Sequence, residues 1–339
     1  MECYYAWNRD AETLRRSASG GIFAALGKLT IESGGAVFGA CFQNDGFEVA
    51  HECAESMEGL QRMQGSKYAQ SQIGNTYRDV DAMLRAGRRV LFSGTPCQIA
   101  ALNNCLSLKR TDTGKLLTAE LLCHGVTNKS VIRRYVSALE KRKNKRIAHL
   151  KFRTKKRPWY SKGSSMELTY EDGSVEIIEH LLDSFYAAYV NNLILRPSCY
   201  HCRFSRLDTR PADFTLGDFW GAEDYIQNRK ALKEGIGLVL VNSSKAAMVW
   251  EHLLHEGSVT AEKLNIAHAI PRNGALVSPA EIHPMRQEFF ERVYSEDFIA
   301  LVGDYFGNML KKNRIKNWIG YDNTKRLLSI KQRLRGGAR

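Results

Sequence analysis

The 339-residue sequence has no apolar run of the roughly 18–20 residues that a membrane-spanning helix needs. Its start, Met1-Glu2-Cys3-Tyr4-Tyr5, lacks a basic segment followed by an apolar one. That argues against a signal peptide and for a cytoplasmic protein with reduced thiols. Neither GxGxxG nor GxxxxGKS/T occurs, so a dinucleotide fingerprint and a P-loop are both unsupported. There is no internal repeat, low-complexity tract or long linker. Acidic residues are missing from Lys141–Lys162, which holds eleven basic ones, and only one accompanies the ten basic residues of Lys311–Arg339. The rest of the chain sums to −7, so the net charge of +13 lies in two local features. This excludes a whole surface shaped for nucleic acid.

What is present reads as a globular α/β chain long enough for two lobes. Gly35–Phe42 and Phe47–Cys53 read as strands joined by the turn Asn44-Asp45-Gly46, with Cys41 and Cys53 as small core residues. Thr76–Ala86 has a helical pattern, Arg88–Phe92 a strand pattern. Cys97–Leu108 reads as a helix with Pro96 in its first turn. Lys115–Cys123 reads as a further strand. Helical spacing also marks Asn128–Lys145, Leu181–Leu195 and Ser244–His255. Strands are expected over Ile147–Phe152, Ser164–Tyr170, Val175–Ile178 and Gly237–Val241, and helix beyond Pro271.

Several stretches carry chemistry. Ser19-Gly20-Gly21 before Ile22 predicts a helix N-terminus capped by Ser19, a place suited to a phosphate. The loop Gly65-Ser66-Lys67-Tyr68 offers one cation and one aromatic ring for a phosphate or a flavin edge. Gly94-Thr95-Pro96-Cys97 and Cys123-His124-Gly125 each follow a predicted strand, so two strands each deliver a cysteine at their C-terminal end. In open α/β sheets that edge holds the ligand. Cys199-x-x-Cys202 follows Pro197, and by itself fits zinc, thiol–disulfide exchange or iron–sulfur ligation. Asp218 closes a short strand and is followed by Phe219, Trp220 and Gly221, a cofactor wall. The basic loop Arg153–Lys162, with Trp159 and Tyr160, reads as a solvated segment or a docking surface for an acidic electron-transfer partner. The tail Thr324–Arg335 reads as a solvated helix, with contact to an anionic membrane surface as the other reading.

Six motifs stand in order: SASGG at 17–21, GSKYAQS at 65–71, GTPCQIAAL at 94–102, LLCHGV at 121–126, PSCYHCRF at 197–204 and ADFTLGDFWG at 212–221. With them the chain resembles the coenzyme F420 hydrogenase/dehydrogenase beta-subunit family, in its bacterial branch, over roughly residues 3–270. The resemblance implies a mixed α/β fold of two lobes, with mixed sheets flanked by helices around a flavin and iron–sulfur site. It divides the chain into a flavin-site lobe (1–90), an iron–sulfur/flavin domain (91–270) and a helical basic extension (271–339). It implies a [4Fe–4S] cluster on Cys97, Cys123, Cys199 and Cys202. It implies FAD, or FMN, held by Ser19, Gly20, Gly21, Gly65, Ser66, Lys67, Tyr68, Gly94, Thr95 and Asp218, with Lys67 as the charge that tunes the ring.

The activity so implied is hydride exchange between flavin and a small-molecule donor or acceptor, deazaflavin in the name-giving members. One-electron traffic would run through the cluster to ferredoxin or another electron-transfer protein. The ferredoxin-like segment that begins many relatives has no counterpart before Ser17, which adds the reading of an electron-transfer subunit within a complex. A structural zinc protein is the third reading.

Overall fold

The computed structural model describes residues 1–43, 47–157 and 164–319. The turn Asn44-Asp45-Gly46, the pair Trp159 and Tyr160, and the tail Thr324–Arg335 lie outside the described residues. The strands are β1 (Glu2–Asn8), β2 (Ala36–Phe42), β3 (Val49–Ala54), β4 (Val90–Gly94), β5 (Leu116–Leu121), β6 (Ile147–Thr154), β7 (Ser165–Tyr170), β8 (Val175–Glu179), β9 (Phe214–Asp218), β10 (Gly237–Val241) and β11 (Val259–Lys263). They make a mixed α/β fold with two sheets. The larger has the order β11-β1-β10-β9-β5-β4-β2-β3, and the smaller is the antiparallel meander β6-β7-β8.

The centre of the large sheet is parallel: β2 pairs β4, β4 pairs β5 and β5 pairs β9. Parallel neighbours need a crossover, and the helix Pro96–Leu108 supplies it between β4 and β5. Every residue of β4 and β10 is buried, as their apolar runs require in a sheet covered on both faces. One face packs on the helices Ile22–Glu32 and Ser244–His255 through Leu26 and Trp250. The other packs on Thr76–Arg85 and Pro96–Leu108 through Val80, Ile99 and Leu102. The small sheet forms its own core with the helices Lys129–Lys143, Ser184–Val190 and Phe298–Ile319, centred on Tyr135, Phe152, Phe185 and Phe298. The C-terminal region is helical within the described residues. No described helix is long and apolar enough to cross a membrane.

Three departures from the sequence reading have local causes. Tyr4, Tyr5 and Trp7 belong to β1, which lies between β10 and β11. The large sheet therefore crosses the boundary expected at residue 90. The helix expected over Leu181–Leu195 is only Ser184–Val190: Asp183 caps its start, and Asn192 adopts a φ of 62° just beyond its end. Cys41 is buried as expected, but Cys53 is exposed, because β3 is an edge strand of the sheet.

Candidate functional site

β4, β5 and β9 are adjacent and parallel, so their C-terminal ends open on one edge. β4 runs into Thr95, whose N–H donates to Gln98 Oε1 at 3.0 Å, with Pro96 in the first helical turn. That turn places Cys97 at the exposed helix start, its Sγ 3.2 Å from Thr95 Oγ1. Beyond β5, Leu122 N donates to Leu216 O at 2.7 Å and sets Cys123 over the edge. Cys199 lies in the short 3-10 turn Pro197–His201, which Arg196 N ties to Val126 O at 2.9 Å. Burial first, then the thiols of Cys199, Cys97 and Cys202, push the Cys123 thiol well above the ordinary range. Burial also raises Cys199, partly offset by the Val126 backbone and reinforced by Cys97 and Cys202. The four thiols thus share one electrostatic neighbourhood. As the side chains lie, no three His, Cys, Asp or Glu among the described residues stand close enough to hold a metal ion.

The loop at 65–71 is stitched to this edge by main-chain bonds. Thr127 N donates to Tyr68 O, and Gln70 N to Thr127 O, each at 3.2 Å. Gln98 Nε2 donates to Ser71 Oγ at 2.9 Å, and that hydroxyl meets His51 Nδ1 at 2.8 Å. Tyr68 is thereby packed among Phe152, Tyr186 and Tyr189, with ring centres 5.2, 6.3 and 4.6 Å away.

A second cluster lies where the two sheets meet. Asp218, the last residue of β9, pairs with Arg153 of β6, whose side chain is 4% exposed. The guanidinium sits 5.3 Å from the centre of the Trp220 ring. Its Nε and Nη2 are buried with no hydrogen-bond partner among the described residues. Buried donors are seldom left unpaired, and here two nitrogens of one guanidinium are. Lys155 reaches Leu14 O and Ser19 O, both at 2.6 Å, and burial followed by the Arg153 charge pulls its pKa down to about 7. His180 stacks on Tyr186 at 4.0 Å, and burial holds it neutral, with a pKa of about 3.

Residues 87–266, more than half of the chain, match the family model for the C terminus of the coenzyme F420 hydrogenase/dehydrogenase beta subunit. The chain belongs to the coenzyme F420 hydrogenase/dehydrogenase beta-subunit family. The matched span contains all four cysteines, Arg153 and Asp218. The fold is also similar to a chain of the F420-reducing [NiFe] hydrogenase complex from Methanosarcina barkeri, solved as a xenon derivative. The TM-score is 0.55 and the identity 16%, with 93% of this chain and 90% of that chain covered. No curated protein matches the sequence.

For a member of this family, the expected flavin contacts fall into two groups. Asp218, Tyr68 and Ser19 meet at or beside the junction of the sheets. Gly65 borders open space: a Cβ there would have no atom within 4 Å, although its φ is +85°. Gly20, Gly21 and Gly94 instead serve close packing. A Cβ on Gly20 would lie 2.2 Å from Ala6 O, one on Gly21 3.1 Å from Asn8 Cβ, and one on Gly94 3.1 Å from Gln98 Oε1. Ser19 does not cap the helix. Gly21 occupies that position with φ 77°, and Ser19 Oγ donates to Ile236 O at 2.8 Å.

Lys67 is also committed elsewhere. Its ammonium lies 2.7, 3.0, 3.3 and 3.4 Å from the carbonyls of Met63, Gln64, Gly65 and Arg62 at the end of the helix Met57–Met63. Three protons have their acceptors there, and a cation suits the negative end of the helix. Burial lowers its pKa to about 8.

Arg153 and Lys155 are hidden in the basic run. The sequence alone puts them in a solvated or docking loop, yet both side chains turn inward. Much of the remaining run is paired: Lys143 with Glu176, Lys145 with Asp172, Lys156 with Glu167 and Arg157 with Glu179. These carboxylates lie on β7 and β8 and the turn between them, far enough along the sequence to leave the segment looking uncompensated.

Proposed function

We propose that this chain is an iron–sulfur flavoprotein oxidoreductase, with a [4Fe–4S] cluster on Cys97, Cys123, Cys199 and Cys202 and FAD, or FMN, beside it. The observation that supports the reading is that β4 and β5 end side by side in the segments bearing Cys97 and Cys123, with the turn before Cys202 that bears Cys199 tied to Val126 next to them. Thiolates are the ligands such clusters take.

The polar cluster between the sheets fits a flavin. Arg153 offers two nitrogens without a partner among the described residues, Asp218 an adjacent carboxylate, and Tyr68 and Trp220 aromatic surface. Lys155 and the start of the helix Ile22–Glu32 are our choice for the phosphates. Bound there, a flavin supplies two-electron hydride exchange with a small molecule and one-electron exchange with the cluster. The residues of this chain bind, orient and enclose. Arg153 and Asp218 fix the charge at the polar edge, the aromatic side chains exclude water, and Lys155 fastens the Ser19 turn to β6. We assign Lys67 to positioning: its carbonyl contacts hold the loop at 65–71 in place.

A small-molecule hydride donor or acceptor is the substrate, with reduced deazaflavin the first to try. Ferredoxin or another electron-transfer protein is the electron partner. That the similar solved chain belongs to a hydrogenase complex favours a second reading, an electron-transfer subunit that turns over only with its partner.

Anaerobically purified protein, assayed for iron, sulfide and extracted flavin, tests the proposal. We expect about four iron and four sulfide per chain, with a flavin identified by mass. Stoichiometric zinc without iron would refute it. Activity of the isolated chain with reduced deazaflavin and an artificial acceptor separates the two readings, because the subunit reading requires added partner.

A further inference from the structure

The helix Phe298–Ile319 is packed along most of its length and turns a different face outward near its end. Val302, Phe306 and Leu310 are buried in the core of the small sheet. Asn313 continues that inner side, its Nδ2 donating to Leu181 O at 2.8 Å. At about 3.6 residues per turn, Ile315 and Trp318 point away from it. Ile315 is 58% exposed and Trp318 89%.

Four cations surround this apolar pair. Arg314 lies beside Trp318, Lys312 and Lys316 lie on the far side of Ile315, and Lys311 sits one turn before Ile315. All four are exposed, and none has a carboxylate partner among the described residues. No acidic residue occurs between Asp304 and Asp322. The basic run at 141–162 differs, because carboxylates of β7, β8 and their turn answer several of its cations.

An apolar centre rimmed by cations suits a helix that lies against an anionic bilayer. The indole sits at headgroup depth, and the long basic side chains reach the lipid phosphates. A protein groove that takes a helix grips apolar residues over several turns. Here those of the earlier turns are already buried in the core. Nucleic-acid phosphates would use the cations and leave Ile315 and Trp318 in water. We propose that Lys311–Trp318 is a docking surface for an anionic lipid bilayer, with Ile315 and Trp318 entering the headgroup layer and Lys311, Lys312, Arg314 and Lys316 meeting its phosphates. The surface shares no residue with the cysteine edge or the junction of the sheets.

Sedimentation of the full, anaerobically purified chain tests this, with vesicles of phosphatidylcholine alone and of phosphatidylcholine mixed with phosphatidylglycerol. We expect binding to the mixed vesicles, little to the neutral ones, and release by high salt. Trp318→Ser weakens binding roughly tenfold. Lys312→Gln combined with Lys316→Gln weakens it about thirtyfold. Circular dichroism and cofactor content stay unchanged in both variants, since the altered side chains are exposed. Residues beyond Ile319 are kept in each, so a loss belongs to the helix face itself. Equal binding to both kinds of vesicle, none to either, or binding untouched by Trp318→Ser and Ile315→Ser would overturn the proposal. So would a DNA duplex held as tightly as the mixed vesicles, with the same indifference to those two substitutions.

Discussion

The cysteine edge and the junction between the sheets lie next to each other and are built in opposite ways. At the edge, main-chain bonds from Leu122, Thr127 and Arg196 set the loops, and the thiols contribute little to holding them. At the junction, side chains carry the structure: one buried ion pair joins β6 to β9, and one lysine fastens the Ser19 turn. The edge can lose a functional side chain and keep its shape. The junction cannot, because the same groups bind and support.

The strongest way to break this contrast is Asp218→Ala. It strands the Arg153 charge in the interior, and a loss of about 3–5 kcal/mol is expected in urea unfolding of the cofactor-free protein. Adding Arg153→Met to Asp218→Leu should recover most of that loss, because an apolar pair has no desolvation penalty to offset. A double variant as unstable as the single one would mean that the pair is not what joins the sheets.

A pH series gives an intermediate effect. Lys155 has a folded pKa of about 7, below the ~10.4 of an unfolded lysine. Between those values the unfolded chain binds more protons than the native one, so this group makes stability rise with pH. Its contribution is complete above the unfolded value and is lost as pH falls through about 7. Lys155→Met should flatten the rise between about pH 7 and 10 relative to the parent chain. Parallel curves for the two proteins would show that the ammonium is not desolvated in the native state.

The smallest stability effect is expected at the edge. Cys202→Ser should change unfolding of the cofactor-free chain by no more than about 0.5 kcal/mol. Iron content of the same variant should fall sharply. Full iron retention would remove Cys202 from the ligand set.

The contrast also explains what could be read in the chain. Cysteine is chemically distinct, so Cys97 and Cys123 after strand patterns, with Cys199 and Cys202 separated by two residues, signal a site before any fold is known. The parallel strands β4 and β5 are legible for a related reason, since buried runs such as Val90–Phe92 have few alternatives. Arg153 and Lys155 are common residues in a run of their own kind. Only the pairing of β6 with β7 and the nearness of β9 separate them from their solvated neighbours. The glycines mislead in the other direction: Gly20 looks like room for a ligand, yet its missing side chain is filled by the backbone of β1 and β10. β1 itself escapes notice because its aromatic residues precede a polar stretch and its partners lie more than two hundred residues on.

Those distant partners bear on how the molecule comes into being. As the ribosome releases the chain, β1 has no neighbour until Val241 is out, and lacks its second until Lys263 is out. Residues 1–90 made alone would carry two open strand flanks and invite self-association. A split-protein or truncation experiment on this molecule should therefore keep Glu2–Asn8 on the same piece as Gly237–Lys263, or supply that piece in trans.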